Sequence, residues 1–170
     1  MTDFSDLDAL RAEVQRLTDI EEIKTLKSRY FRYVDLHWWP ELRSLFADDA
    51  VFEIEESTSL PKTADDFIAA IDRHLGQAMS VHHGHMPEIE IVDAEHAHGI
   101  WAMYDLVEPA ESSGYPVLTG YGHYTEDYRK VAGQWRIARL RLSRLKRSTD
   151  GEVILGASVD GRRQFREPGA

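Results

Sequence analysis

The chain has no cysteine among its 170 residues. That absence excludes a disulfide framework, a thiolate nucleophile and cysteine-ligated zinc or iron–sulfur chemistry, while leaving the redox compartment formally open. No stretch approaches the ~20 consecutive apolar residues needed to cross a bilayer. The acidic start Met1-Thr2-Asp3-Phe4-Ser5-Asp6 has no basic region followed by an apolar run, so no export leader or membrane partner is expected and the cytoplasm is the default location. Positive charge is also in short supply. Twenty Lys and Arg against 30 Asp and Glu leave a formal net charge of −10, which argues against nucleic acid as a partner. The one basic run, Arg136 to Arg147, is interrupted by Ile137, Leu140, Leu142 and Leu145 as a strand would be, and reads as a solvated sheet face. Internal repeats and dense metal motifs such as His-Glu-x-x-His are absent as well.

What is present suits one domain. With 42% hydrophobic residues the chain is long enough to bury a core unaided. Apolar residues recur at helical spacing over residues 7–34, from Leu7, Leu10 and Val14 to Tyr30 and Val34. Thr18-Asp19-Ile20-Glu21 has the form of a capping box, so a second helix is expected to start there. Pro40 suits the first turn of a short helix reaching Phe46, Asp48-Asp49 is expected to turn the chain, and Ala50 to Glu55 reads as a strand. Thr63 can cap a helix ending at Gly76. The remainder reads as strands: His82 to Met86 with Glu88 to Val92, Ala97 to Val107, Thr119 to Val131 and Gln134 to Lys146, the last two joined by a tight turn at Ala132-Gly133. Helices first and antiparallel strands later predict an α+β fold, a curved antiparallel sheet packed on N-terminal helices. Residues 108–116 form a loop placed to gate a pocket. A single domain over residues 1–147 is expected, with 148–170 a loose tail or an arm that orders against another subunit.

Side chains alternate faces along a strand, so a polar residue among apolar ones is informative. Asp105 shares a face with Trp101, Met103 and Val107, where a carboxylate would be desolvated and suited to donate a proton or to partner a cation; the alternative is a strand-end Asp reaching water. Arg144 shares a face with Ala138, Leu140 and Leu142 and could hold an oxyanion or carboxylate in a pocket, or pass the sheet edge into solvent. On the same pattern Trp135 and Ile137 fall on the opposite face. His82 and His83 must face opposite ways, so only one enters the interior; His83 and His85 share a face, which leaves little for a metal site. His123, alternating with Tyr121 between glycines, is a second inward candidate. Asp35 closes the helical run, and a carboxylate beside His82 would fix its tautomer and stabilise the imidazolium formed on proton transfer. Tyr30 and Asp35 lie about 140° apart on an ideal helix, so a shared cavity must wrap the helix end.

Several of these segments carry a resemblance. The run from Asp19 through Tyr30-Phe31 to Asp35, the segment His82-His83-Gly84-His85-Met86-Pro87-Glu88-Ile89-Glu90-Ile91, the Gly99-x-Trp101 strand and the hairpin from Gly122-His123-Tyr124-Thr125 to Gly133-Gln134-Trp135 resemble the SnoaL-like branch of the nuclear-transport-factor-2-like (NTF2-like) superfamily over about residues 18–146. The pattern is similar to bile acid 7α-dehydratases and, at greater distance, to scytalone dehydratase and hexachlorocyclohexane dehydrochlorinase. The resemblance implies a cone-shaped, cystatin-like α+β fold, no cofactor and no metal, and a homodimer or homotrimer. It also implies catalytic roles for Tyr30, Asp35, His82, Asp105 and Arg144. His123 departs from the bile acid pattern and is nearer that of scytalone dehydratase, which puts a bile acid in doubt as substrate. The resulting expectation is a cofactor-independent dehydratase-type lyase acting on a small hydrophobic cyclic hydroxy-carbonyl compound, steroid-like or aromatic. His82, oriented by Asp35, would take a proton beside the carbonyl, Tyr30 and Arg144 would hold the oxyanion, and Asp105 or His123 would assist the leaving group. A ketosteroid-type isomerase or a catalytically silent ligand-binding or assembly domain are the alternatives.

Overall fold

The first helix, α1, runs without a break from Phe4 to Asp35 in the computed structural model, which describes residues 4–55, 60–149 and 152–155. The helix start expected near Thr18 does not occur. The Thr18 hydroxyl donates back to the Val14 carbonyl at 2.8 Å, as a serine or threonine does in mid-helix. Asp19 is buried and accepts from Lys130 Nζ at 2.5 Å, Trp135 Nε1 at 3.1 Å and Gln15 Nε2 at 3.2 Å. A capping signal therefore gave way to a tertiary demand for the carboxylate. Beyond that point the helix buries Ile23, Leu26, Tyr30 and Val34, while Leu10, Val14 and Leu17 remain exposed.

Pro40 opens the short α2, Trp39–Arg43, which stops before Phe46 because Phe46 begins β1, Phe46–Ile54. Asp48 and Asp49 do not turn the chain; they lie within β1, where its register slips between Phe46 and Val51. The Thr63 side chain accepts from the Asp66 amide at 3.1 Å and caps α3, Ala64–Leu75, which closes at Gly76. The strands β2 (Met79–Ile91), β3 (His96–Glu108), β4 (Leu118–Val131), β5 (Gln134–Thr149) and β6 (Glu152–Leu155) follow. The two segments expected on either side of Pro87 are one strand. Its register shifts between His85 and Glu88, at Met86 (φ 38°) and at a proline that cannot donate to the ladder.

The sheet order is β1-β5-β4-β3-β2, with β6 also pairing β5. The sheet is curved, open and mixed, because β1 pairs β5 in parallel. The all-antiparallel expectation fails at that edge: alternation within a strand does not report the direction of a partner some 90 residues away in sequence. β6 pairs Lys146–Thr149, so the start of the expected tail joins the sheet, and residues 156–170 lie outside the described part. Among the described residues no helix is long and apolar enough to cross a membrane.

Two register slips in the β4–β5 ladder decide which side chains reach the core. Arg139 pairs Asp127 and Ile137 pairs Tyr128, leaving Ala138 as an extra residue; Arg144 pairs Gly122 and Lys146 pairs Tyr121, leaving Leu145 extra. Each extra residue inverts the alternation that follows it. Trp135 and Ile137 are therefore buried on the same side as Leu140, Leu142 and Arg144, against the expectation of a strictly alternating strand. The second slip turns Arg147 to that side as well.

Candidate active site

A cavity of about 370 Å³ opens on the helix-covered side of the sheet. Its walls are largely apolar: Val34 from α1, Phe67 and Ile71 from α3, Val107 from β3, Leu118 from β4, and Leu140 and Leu142 from β5. The polar groups enter along two cross-strand rows. In one, His82, Asp105, Gly120 and Arg147 stand opposite one another across β2, β3, β4 and β5; in the next, Gly84, Met103, Gly122 and Arg144 do so. His82, Asp105, Arg144 and Arg147 line the cavity together with Tyr30 and Tyr124.

Asp35 sits at the last residue of α1, where the chain must leave the helix, and His37 takes a positive φ of 54° in the turn beyond it. This end abuts the start of β2. His82 Nδ1 lies 2.7 Å from Asp35 Oδ1, the His82 amide donates to Asp35 Oδ2 at 3.1 Å, and the Ser80 hydroxyl donates to Asp35 Oδ1 at 3.1 Å. Three groups on one strand hold the carboxylate, and it holds the imidazole. With Nδ1 donating to Asp35, Nε2 is left as the nitrogen able to accept a proton. The His82 side chain is 11% exposed, so the pair is shielded but reachable.

Asp105 is buried on the apolar face and accepts from Arg144 Nη2. Of its two expected uses, partner to a cation is the one realised. The strand opposite leaves room for this: a Cβ on Gly120 would lie 2.1 Å from Asp105 Oδ1 and 2.6 Å from Arg144 Nε. Gly84 admits another close approach, since a Cβ there would lie 2.5 Å from Phe31 Cζ.

Tyr30 and Tyr124 are both buried, their ring centroids 5.8 Å apart, edge to face. Burial raises both phenols above their ordinary range. Beneath the rings Lys27 is fully buried and donates to Glu126 Oε1 at 2.5 Å. Tyr128 donates to the other Glu126 oxygen, and Trp101 Nε1 donates to Tyr128 at 2.9 Å. Burial pushes the Lys27 ammonium down to about 8, against the opposing pull of Glu126.

Five of the six nominated residues thus converge: Tyr30, His82, Asp105 and Arg144 at the cavity wall, and Asp35 behind His82. His123 does not. It alternates with Gly122 and Tyr124, both of which face the core, so it lies on the outer face between Ala102 and Ser143. The inward reading had grouped it with Tyr121, which is itself exposed. On that outer face His83, His85, Tyr104 and Tyr121 form a chain of ring contacts, and Arg139 makes a bidentate pair with Glu53 at 3.0 Å through each of two nitrogens, as a solvated basic face would. Among the described residues no three His, Asp or Glu side chains cluster as metal ligands. Sequence reasoning missed Ser80, Tyr124, Arg147 and the Lys27–Glu126 pair. The inward parity of Tyr124 and Glu126 was available from β4, whereas Arg147 depends on a bulge.

The comparisons with known proteins agree with this architecture. Residues 15–141 match the SnoaL-like domain family. A probable cyclase of Gibberella zeae is 26% identical over 136 residues, covering 72% of this chain and 89% of its own. A crystal structure from Novosphingobium aromaticivorans, provisionally assigned as a scytalone dehydratase, superposes with a TM-score of 0.74 at 20% identity, covering 85% of this chain and 95% of the other. A hexachlorocyclohexane dehydrochlorinase from Novosphingobium barchaimii gives 0.70 at 21%, covering 81% and 93%. At such identities the structural likeness establishes the fold, which is NTF2-like with cystatin-like architecture. The family match spans well over half of the chain, and the curved sheet and helix order agree with it: the chain belongs to the SnoaL-like domain family.

Proposed function

We propose that the chain is a cofactor-independent lyase that eliminates water, or a comparable leaving group, from an apolar cyclic substrate carrying a carbonyl. The observation that carries the reading is the 2.7 Å contact between His82 Nδ1 and Asp35 at the polar end of an otherwise apolar cavity. A purely binding pocket needs no base, orienting acid and arginine together. His82 Nε2 takes a proton from the carbon beside the carbonyl, and the C–H electrons move into an enolate. Asp35 stabilises the imidazolium. Arg144, aligned by Asp105, and the phenols donate to the enolate oxygen. The electrons then return to form the C=C bond as the C–O bond to the leaving hydroxyl breaks, and the hydroxide departs as water with the proton from His82. Chlorinated or cyclising substrates fit the same first half, in line with the relatives' descriptions.

A ketosteroid-type isomerisation is the second reading, since it passes through the same enolate with a single base. Asp105 is engaged by Arg144 and His123 lies on the outer face, which leaves His82 to perform both proton transfers. A panel of steroid-like and aromatic hydroxy ketones in deuterated water tests both. Wild type should incorporate deuterium beside the carbonyl of at least one compound, and His82→Ala should not. A mass loss of water in the product marks elimination, and an unchanged mass apart from deuterium marks isomerisation. Tight binding across the panel with no exchange by wild type would overturn both readings in favour of a silent binding domain.

A further inference from the structure

Lys27 and Glu126 are both wholly buried, and stability alone does not explain them. A buried ion pair is often replaceable by apolar residues without loss, because taking two charges out of water offsets their attraction. Their placement is specific. Lys27 Nζ lies 3.6 Å from the centroid of the Tyr124 ring, 4.0 Å from that of Tyr30 and 4.9 Å from that of Phe31. Only one of the three N–H bonds is spent on Glu126; the aromatic faces of α1 and β4 surround the rest. The carboxylate is in turn fixed by Tyr128, and Tyr128 by Trp101. Tyr30 and Tyr124, the two rings that touch the ammonium most closely, are the phenols that line the cavity.

A cation over an aromatic face is attracted to the ring's electron density, and the attraction strengthens as the density grows. A phenol that donates to an oxyanion moves part of the way toward phenolate, so its ring gains negative charge. A fixed ammonium on the far side of the ring stabilises that change, with little screening in a dry site. Lys27 Nζ lies nearer the Tyr124 ring than the Tyr30 ring, so Tyr124 is the phenol whose donation the charge strengthens most.

We propose that Tyr124 is a catalytic residue, a donor to the oxyanion formed in the cavity, and that Lys27 is a positioning residue whose charge beneath the Tyr30 and Tyr124 rings strengthens that donation. The role rests on reading the cavity as an oxyanion-forming site, and the test below is independent of whether a lyase reaction occurs.

The probes are ring-substituted 2-naphthols of graded acidity, as oxyanion mimics, and 2-methylnaphthalene as an uncharged shape control. Lys27→Met with Glu126→Gln removes both charges together, so neither is left buried alone. In wild type, affinity should rise with naphthol acidity and exceed that for 2-methylnaphthalene. In the double variant the most acidic naphtholate should weaken by at least about tenfold while 2-methylnaphthalene binds as before. Parallel loss of both probes would mean that the pair only shapes the cavity, and an unchanged naphtholate affinity, or no naphtholate preference in wild type, would equally overturn the proposal. A second measurement needs no variant. With [13Cζ]tyrosine and [13Cε]lysine labels, the Tyr30 and Tyr124 signals of wild type should step at the midpoint of Lys27 itself, near 8, with Glu126, Tyr128, Asp105 and Arg144 the other ionisable groups around the pair. A Lys27 titration with no response from either tyrosine contradicts the role. Deuterium exchange lost in His82→Ala while naphtholate selectivity persists separates the two claims.

Discussion

His82 and His83 are consecutive residues of β2, on opposite faces of the same sheet. His82 is 11% exposed, held by Asp35 at 2.7 Å and aimed at a cavity; His83 is exposed and leans on Tyr104 and His85. The contrast repeats across the sheet. Arg144 lies inward against buried Asp105, whereas Arg139 and Arg141 lie outward against Glu53 and Glu55. Both faces carry histidine, tyrosine and arginine, set among apolar side chains on the inner face and among exposed polar ones on the outer. What differs is water: on the inner face a charged group needs an assigned partner, and a proton transfer or a developing charge is stabilised by fixed donors instead of by solvent. Chemistry is assigned to the inner face for that reason.

The comparison breaks most easily at the histidines. His82→Ala is expected to lower turnover by about 10²–10⁴-fold, whereas His83→Ala and His123→Ala should leave it unchanged; steady-state rates on any exchanging ketone decide this. Next come the arginines. Arg144→Ala should reduce the rate by about 10²–10³-fold, the usual effect of losing an oxyanion donor, and Arg141→Ala should not. Gly120→Ala should sharpen the contrast structurally. Its Cβ would meet Asp105 and Arg144, so about 1–3 kcal/mol of stability should be lost in urea unfolding, while Thr119→Ala, on the outer face one residue earlier, should cost little.

A smaller effect concerns pH. Lys27 is lowered in the folded protein from its usual 10.5 to about 8, so between those values the unfolded chain binds more protons and stability rises with pH. Tyr30, Tyr124 and Tyr128 are raised above their usual 10, so above that point the unfolded chain loses protons first and stability falls. Urea midpoints should therefore climb from about pH 8 toward pH 10 and drop beyond it, and the climb should vanish in the Lys27→Met, Glu126→Gln variant.

Much of this arrangement was legible in the chain. Alternation in β3 marked Asp105, the Thr63 cap set α3, and the helix end brought Asp35 to His82. The rest was lost for identifiable reasons. The bulge residues Ala138 and Leu145 carry no local signature, yet they invert parity and so decide that Trp135, Ile137 and Arg147 face inward. His123 followed the wrong neighbour: grouping it with Tyr121, instead of noting that Tyr124 and Glu126 alternate with it, put it inside. Lys27 sits on a helix face whose burial depends on β4, and a lysine at helical spacing reads as solvated until Glu126 is placed beside it. Direction of strand pairing is a long-range property, which is why β1 was expected in the wrong orientation.

The most direct test of the inner face as the reacting one is the protonation state of His82 itself. Long-range 1H–15N correlation on labelled protein should show the neutral form of His82 protonated at Nδ1, with Nε2 bare toward the cavity, and this preference should collapse in Asp35→Asn. A His82 protonated at Nε2, or a spectrum indifferent to Asp35, would contradict the account.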